Sequence, residues 1–205
     1  LTEDGRRVMI AWMQNWTTST CKRQEDHFFG SMTIPRELSV RNGRLIQNPV
    51  RELDNYHGRK VCLEDVLIHR ETNLMGVKGR ILDMTIKVRP SDMKMYDWFK
   101  VNVAKDGEHQ ATIRYKPGSN TIRIDRTRCG GRYDIVHVRD FLVRPRKGEI
   151  KLRLVMDRRS VELFVNDGEQ AATFLLYTGE QAQSITFEAS DPVLIDVEKY
   201  DLEID

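Results

Sequence analysis

Carboxylates occur at two places where the neighbouring sequence could support acid–base chemistry. Glu37 follows Arg36 in a strand-like context, and Asp157 and Glu162 flank a polar turn between two apolar runs. A carboxylate whose pKa is shifted by its surroundings can act as a general acid or base. We adopt a structural interpretation instead: a structural ion pair within the N-terminal strands for the Arg36-Glu37 segment, and a solvated face or a turn network for Asp157, Arg158 and Glu162.

Histidine and cysteine, the residues that most often bind metals or form disulfides, show no pattern that predicts either. The cysteines are three and widely spaced, and the histidines lack the close spacing of metal ligands. We therefore predict no metal site and no cofactor, and we interpret the cysteines as reduced thiols of a cytoplasmic protein. The residues concerned are Cys21, Cys62, Cys129, His27, His57, His69, His109 and His137.

Composition and charge restrict the class of protein. Of the 205 residues, 40% are hydrophobic, which is enough to bury a substantial core. The 33 basic and 31 acidic residues leave a net charge of +2, so we predict no nucleic-acid partner. No apolar run approaches the roughly 18 residues of a membrane span, so we predict no membrane partner. The first residues do not form a signal peptide and include no initiator methionine, so we expect the chain to begin inside a larger protein.

The stretch from Lys151 to Gly168 predicts the central structural element. Apolar residues alternate with polar ones on both sides of a polar turn at residues 157–160, a pattern typical of two half-buried strands. Asn166–Gly168 is suited to positive φ in a second turn, and Thr173 to Tyr177 would form the return strand. We expect this meander to form the centre of an antiparallel sheet.

The N-terminal fifty residues show a different pattern. Arg7 to Met13 is mostly apolar and predicts a strand buried on both faces. A polar loop at residues 14–29 follows, and a loop of this length is often functional. Asn42-Gly43 then predicts a hairpin turn between two short strands.

Residues 48–58 predict a short helix that links this region to an all-β domain. Asn48 can cap the helix, Pro49 suits its first position and Gly58 would end it. From Arg59 onward, short strands bounded by turn residues recur about every ten residues, which indicates a β-sandwich. Besides the meander, we predict strands at 61–68, 79–88, 98–103, 111–115, 121–125, 139–144, 184–189 and 193–204.

Four segments of the chain carry a recognisable family pattern: Ala11–Trp16, Gly30–Leu38, Gln47–Val50 and Asp157–Gly168. The first three resemble the last propeller blade of glycoside hydrolase family 32, and the fourth resembles the signature of the C-terminal sandwich of the same family. This family includes invertases, sucrose-6-phosphate hydrolases, levanases and inulinases. The resemblance covers essentially the whole chain. It implies an all-β fold, in which a C-terminal β-sandwich is preceded by strands of the last blade of a five-bladed β-propeller. It also implies a retaining enzyme that cleaves β-fructofuranosides.

The catalytic carboxylates that this resemblance implies are absent from the sequence. Family members carry an Asp nucleophile in Asn-Asp-Pro-Asn, an Asp in Arg-Asp-Pro and a Glu acid/base in Glu-Cys, and none of these motifs occurs here. Retaining hydrolysis needs two carboxyl groups about 5 Å apart across the scissile bond. We therefore predict no catalytic residue in this chain and no sugar cleavage by the chain alone.

The resemblance also implies that an aromatic residue from the first loop lines the fructose subsite. An indole can stack on the C–H face of a sugar while its N–H donates a hydrogen bond. The candidate substrate-binding residues are therefore Trp16, Trp12 and Gln14. For Trp12 we favour the alternative that it is a buried strand residue.

Together these observations predict three regions and one function. We expect a terminal, incomplete propeller blade at residues 1–47, a linker helix at 48–58 and a β-sandwich at 59–205. The chain would be the C-terminal portion of an enzyme that acts on sucrose, sucrose 6-phosphate or fructan. Its partners would be the N-terminal part of the same protein, the fructoside substrate bound by the complete propeller, and a second copy through the sandwich. Alternatives are a free-standing carbohydrate-binding module, and an inactive remnant that pairs with another chain.

Overall fold

The described residues form an all-β structure. The computed structural model describes residues 2–13, 30–92, 94–130, 136–144 and 146–204. Within these ranges, no helix has the length and apolar character needed to cross a membrane. The one 3₁₀ helix described is Arg51–Tyr56. The strands are β1 Arg7–Met9, β2 Arg36–Arg41, β3 Arg44–Pro49, β4 His57–Ile68, β5 Thr72–Lys78, β6 Leu82–Pro90, β7 Phe99–Lys105, β8 Ala111–Lys116, β9 Thr121–Asp125, β10 Val138–Leu142, β11 Ile150–Met156, β12 Ser160–Val165, β13 Gln170–Leu175, β14 Ser184–Ala189 and β15 Val193–Leu202.

These strands form three antiparallel sheets. The small sheet has the order β1-β2-β3. The inner sheet has the order β13-β12-β11-β6-β15-β4, and the outer sheet has the order β10-β9-β8-β7-β14-β5. The inner and outer sheets enclose the main core, whose fully buried members include Leu154, Leu163, Phe99 and Phe187. The predicted β-sandwich is therefore present, and its inner sheet also contacts the small sheet on the opposite face.

Strand β12 is buried on both faces because it lies between these layers. Val161, Leu163 and Val165 point into the sandwich core, whereas Phe164 packs with Leu53 of the 3₁₀ helix in a second apolar cluster. All six residues of β12 are buried. The expectation of a half-buried strand at 161–165 is therefore wrong. The reason is that the small sheet covers the second face of β12, which the alternating sequence pattern predicted to be exposed to solvent.

The turns of the meander follow the sequence expectations. Strands β11, β12 and β13 form the predicted meander, with Leu154 opposite Leu163 and Leu163 opposite Ala172. The meander lies at one side of the inner sheet with β13 as the edge strand, so the expectation that it forms the centre of a sheet is wrong. Asn166–Gly168 has φ values of 49, 60 and 86°, and Asn42-Gly43, with φ values of 53 and 71°, closes the β2–β3 hairpin. The two turn predictions are confirmed, because only residues that tolerate positive φ allow such tight turns.

Two expectations for the N-terminal region are wrong. The strand over Arg7–Met13 is reduced to β1, and the side chain of Ile10 is 53% exposed, because β1 pairs only with β2 and no described layer covers its outer face. The helix expected at 48–58 is a 3₁₀ helix that begins at Arg51, and Gly58 lies inside β4. Asn48 does not cap it, because its side-chain amide instead donates to the carbonyl of Asp167 at 3.2 Å.

Gly168 provides a test of how closely the small sheet approaches the sandwich. A Cβ atom at Gly168 would lie 2.3 Å from the carbonyl oxygen of Gln47, whose own N–H donates to the Gly168 carbonyl at 3.0 Å. We expect Gly168→Ala to lower the free energy of unfolding by about 2 kcal/mol or more, from the strained φ and the backbone clash together.

The matched control is Gly43→Ala. Gly43 also has positive φ, at +71°, but a Cβ atom there would have no other atom within 4 Å, so the substitution carries the φ cost without the clash. Chemical denaturation of both variants measures the difference. Equal losses in the two variants would contradict a close approach at Gly168.

Candidate functional site

The small sheet and the sandwich are joined by a buried ion pair between Arg36 and Glu162. Nη2 of Arg36 lies 2.5 Å from Oε2 of Glu162, and the two side chains are only 7% and 1% exposed. Arg36 also donates to the hydroxyl of Thr173 and to the side chain of Gln47. The backbone N–H of Ile34 donates to the other carboxylate oxygen of Glu162 at 2.6 Å. Both charged groups are thus hydrogen-bonded on several sides.

Glu162 is therefore a structural residue, which corrects its expected position on a solvated face or in a turn network. Burial raises the pKa of its carboxyl group, while the N–H of Ile34 and the guanidinium of Arg36 oppose that rise. A raised pKa is also a property of general acids, but here the carboxylate lies beneath the small sheet, where both of its oxygens are already hydrogen-bonded. Asp157 does form a turn network, since Oδ1 accepts from the backbone N–H groups of Arg159 and Ser160.

Glu37 forms an ion-pair network rather than an acid/base site. Its carboxylate accepts hydrogen bonds from the guanidinium of Arg51, at 3.1 Å, and from that of Arg6, at 2.7 Å. The Arg51 hydrogen bond is the main reason why the pKa of Glu37 falls to about 2. A carboxylate that stays ionised at neutral pH cannot donate a proton as a general acid. The expected structural ion pair of Glu37 is therefore present, with Arg6 and Arg51 as its partners.

Of the three candidate substrate-binding residues, the structure describes only Trp12. Trp16 and Gln14 lie outside the described residues. The backbone of Trp12 forms an isolated antiparallel bridge with Met32, supported by a hydrogen bond of 2.8 Å from the N–H of Thr33 to the carbonyl of Ala11. Trp12 is 41% exposed, so the expectation that it is a buried strand residue is wrong for the described structure.

Trp12 is one of three exposed apolar residues in the segments next to the small sheet, Ile10, Trp12 and Met32, which we call the Trp12 surface. Their exposed fractions are 53, 41 and 56%. Exposed apolar patches of this kind often mark contacts with another protein segment or with a ligand. The surface contains no carboxylate that could act in catalysis, so what it offers is apolar contact area and an indole.

The structure also brings together a group of titratable residues that the sequence did not reveal. Ligand atoms of Asp54, His57 and Asp83 lie within 4.8 Å of one another, and Nε2 of His57 is 2.9 Å from Asp83 Oδ2. The guanidinium of Arg153 donates to both oxygens of Asp83, at 2.9 and 2.5 Å. A cation therefore already neutralises Asp83, and the geometry is that of an ion-pair network in which the ring of His57 stacks on Tyr200.

Comparison with known proteins identifies the family. The profile of "Glycosyl hydrolases family 32 C terminal" matches residues 52–201, and that of "Glycosyl hydrolases family 32 N-terminal domain" matches residues 1–49. The chain belongs to glycosyl hydrolase family 32. The resemblance inferred from the sequence is therefore confirmed.

Relatives in family 32 are longer than this chain. It is 30% identical over 203 residues to a raffinose invertase of Escherichia coli, covering 96% of this chain and 40% of that protein. It is 26% identical over 199 residues to a sucrose-6-phosphate hydrolase of Escherichia coli, covering 94% of this chain and 38% of that protein. The chain thus spans about two fifths of these relatives.

A solved structure supports the fold. Fructan 1-exohydrolase IIa from Cichorium intybus superposes with a TM-score of 0.81 at 18% identity, over 97% of this chain and 45% of that one. At this level of identity, the similarity supports a shared fold and does not by itself assign a substrate.

The buried ion pair can be tested by removing one charge. Glu162→Gln keeps the side-chain volume but leaves Arg36 buried without a charged partner, so we expect the free energy of unfolding to fall by about 3–5 kcal/mol. The control is Glu198→Gln, which removes an exposed pair with Lys60 whose side chains are 45 and 48% exposed. That change should cost about 1 kcal/mol or less. Denaturant unfolding measures both, and similar losses would contradict a dominant role for the buried pair.

The Glu37 network predicts a specific pH dependence. The folded-state pKa of about 2 lies below the ordinary value of 4.5, so the network stabilises the fold above pH 4.5 and this contribution is lost as the pH falls towards 2. Glu37→Gln should lower the free energy of unfolding at pH 7 by about 1 kcal/mol, since solvent screens the partly exposed pair.

The Glu37→Gln variant should also lose less stability than the parent between pH 5 and pH 2. Glu149→Gln changes an exposed glutamate for which no ion pair is described, so its profile should follow that of the parent. Thermal unfolding at a series of pH values measures the profiles. Parallel acid profiles for the parent and Glu37→Gln would be evidence against the network.

Proposed function

We propose that this chain is the C-terminal part of a retaining β-fructofuranosidase, in which the sandwich has a structural role. The observation that carries the proposal is the order of the two family 32 profiles, with the N-terminal domain profile on residues 1–49 and the C-terminal profile on residues 52–201. The boundary between them coincides with the beginning of the 3₁₀ helix at Arg51. A free-standing carbohydrate-binding module is less well supported, because it would not need a segment that matches a catalytic domain.

In this proposal, residues 1–47 supply strands of the last propeller blade, residues 48–58 link them to the sandwich, and residues 59–205 form the sandwich. The Trp12 surface supports the assignment. The segments next to the three-stranded sheet expose Ile10, Trp12 and Met32, and further strands of a propeller could cover these apolar side chains. Trp12, Trp16 and Gln14 are the residues that we propose to lie nearest the fructoside.

The role of the sandwich would be to fix the blade through contacts that are buried and numerous. Arg36 and Glu162 provide the ion pair, and Leu53 and Phe164 provide apolar contact beside it. Such a support can hold a catalytic domain in its active geometry without contributing a reacting group. The substrate class that we propose is a β-fructofuranoside, namely sucrose, sucrose 6-phosphate, levan or inulin.

We also propose that the protein works in a reducing compartment such as the cytoplasm. Cys62 is exposed and Cys129 is buried, and both are free thiols. Burial raises the pKa of the Cys129 thiol, which keeps it protonated and unreactive. Thiols kept free in this way are usual in reducing compartments. Separately, we propose that two copies of the protein associate through the sandwich.

The proposal predicts that the purified 205-residue chain does not hydrolyse sucrose, raffinose or levan. The reason is that the sequence contains none of the three carboxylate motifs of the family, and a retaining mechanism needs a nucleophile and an acid/base facing each other. Release of fructose, the product common to the three substrates, would be measured, with the raffinose invertase of Escherichia coli as the positive control on raffinose. Turnover that stays with the chain through successive purification steps would refute the proposal.

Binding to fructan separates the proposal from the carbohydrate-binding alternative. A structural sandwich should migrate in a native gel at the same rate with and without levan or inulin in the gel. A binding module should be retarded, and Trp12→Ala would then show whether the Trp12 surface is responsible. Retardation of the parent chain by fructan would favour the alternative function.

A further inference from the structure

The solvent face of the outer sheet carries a row of cations on adjacent strands. In register across β7, β8 and β9, Lys100 lies opposite Arg114, and Arg114 lies opposite Arg123. Directly opposite residues on antiparallel strands have Cβ atoms about 5 Å apart, and like charges placed in this way destabilise a sheet. The presence of three neighbouring cations is therefore not explained by a contribution to the stability of the sheet.

The two outer cations of the row have carboxylate partners on the flanking strands. Arg123 donates from Nε and Nη2 to the two oxygens of Asp140, at 2.7 and 2.6 Å. Lys100 lies 3.1 Å from Glu188 and sits over the ring of Trp98, at 3.9 Å from its centre. The row thus has a negative group at each end, and both of these groups are already engaged.

Arg114, at the centre of the row, has no such partner. Its Nε atom is buried and makes no hydrogen bond to any described residue, although a buried donor without a partner costs free energy. No ion pair of Arg114 with a described carboxylate is present either. Its positive charge helps to hold the pKa of Asp140 below its usual range, after the larger effect of the Arg123 hydrogen bond. The guanidinium of Arg114 therefore has a donor, at Nε, without an acceptor among the described residues.

Beside this row, polar side chains form the floor of a groove. Asn102, Thr112 and Gln110 are linked by hydrogen bonds, with the Thr112 hydroxyl donating to Asn102 at 2.8 Å and the Gln110 amide donating to the same oxygen at 3.2 Å. These residues, the cations and the carboxylates of Asp125 and Glu188 line a groove with a volume of about 240 Å³. Asp125 accepts hydrogen bonds from the N–H and hydroxyl of Thr127, and Glu188 is paired with Lys100. The groove is large enough for a small polar molecule, and its floor is held in place before any ligand arrives.

We propose that this groove binds a tetrahedral oxyanion, phosphate or sulfate, either free or carried by a sugar, with Arg114 as the central ligand. A guanidinium provides paired N–H donors that match the oxygens of such an anion, and Lys100 and Arg123 add positive charge on both sides. The hydroxyl and amide groups of Thr112, Asn102 and Gln110 suit the hydroxyl groups of a sugar. The site lies on the outer sheet, whereas the small sheet contacts the inner sheet.

Isothermal titration calorimetry at low salt tests the site, with inorganic phosphate, glucose 6-phosphate and glucose as the ligands. We expect phosphate and glucose 6-phosphate to bind with a dissociation constant of about 1 mM or tighter, and glucose not to bind. Equal affinities for the two anions would assign the site to the free oxyanion, and a tighter glucose 6-phosphate would assign it to a sugar-borne one. Shifts of the amide NMR signals of Lys100, Thr112 and Arg114 should accompany binding.

Arg114→Gln is the decisive variant, and Arg59→Gln is its matched control. Arg59 is an exposed arginine of β4 in the inner sheet, so the control removes the same charge away from the groove. We expect Arg114→Gln to weaken anion binding by about tenfold or more, and Arg59→Gln to change it by less than about twofold. The thermal midpoint of Arg114→Gln in phosphate-free buffer should be no lower than that of the parent, because the variant relieves like-charge repulsion.

Three results would overturn the proposal. They are the absence of saturable anion binding by the parent, binding of glucose as tightly as glucose 6-phosphate, and an unchanged affinity in Arg114→Gln. The thermal midpoint shows that a loss of binding in Arg114→Gln is not a loss of fold.

Discussion

The structure depends on the desolvation of two charges, on Arg36 and Glu162. A buried charge is strongly unfavourable alone and tolerable only when its partner and its hydrogen bonds are all in place. Here the guanidinium comes from the small sheet and the carboxylate from β12 of the inner sheet, so the pair exists only when the two sheets are docked. The backbone N–H of Ile34 adds a directional contact to the same carboxylate. The ion pair thus attracts the two sheets to each other and also fixes their relative position.

The docking of the small sheet gives the sandwich two different faces. The inner sheet is covered on both sides around β12, where Phe164 and Leu53 exclude water beside the ion pair. The outer sheet has one face on the core and one face open, as antiparallel sheets commonly do. Its open face can therefore carry charged rows such as the one centred on Arg114 without burying them. The contact with the small sheet and the proposed anion site therefore lie on opposite faces of the sandwich.

Local chemistry in the sequence was sufficient for most strands of the sandwich and for its tightest turns. Alternation predicted β11, β12 and β13, and positive-φ residues predicted the turns at Asn42 and Asn166. Strand β5 was missed, because Gly76 interrupts its short and irregular pattern. The helix at 48–58 was placed too early, because the chain continues in β3 through Pro49 and Asn48 is used in a contact with Asp167. Capping signals are local, whereas such contacts join residues far apart in the chain.

The sequence by itself determined the family, the all-β class and the absence of the family's carboxylate motifs, since each follows from short runs of residues. The tertiary structure alone decided what the charged residues do. Glu162 was assigned to water or to a turn and is buried against Arg36, 126 residues away in the chain. Arg114 has an ordinary sequence context, yet register places it between two other cations. The environment of a charge depends on which strands and layers surround it, and neither is encoded in the residues next to it.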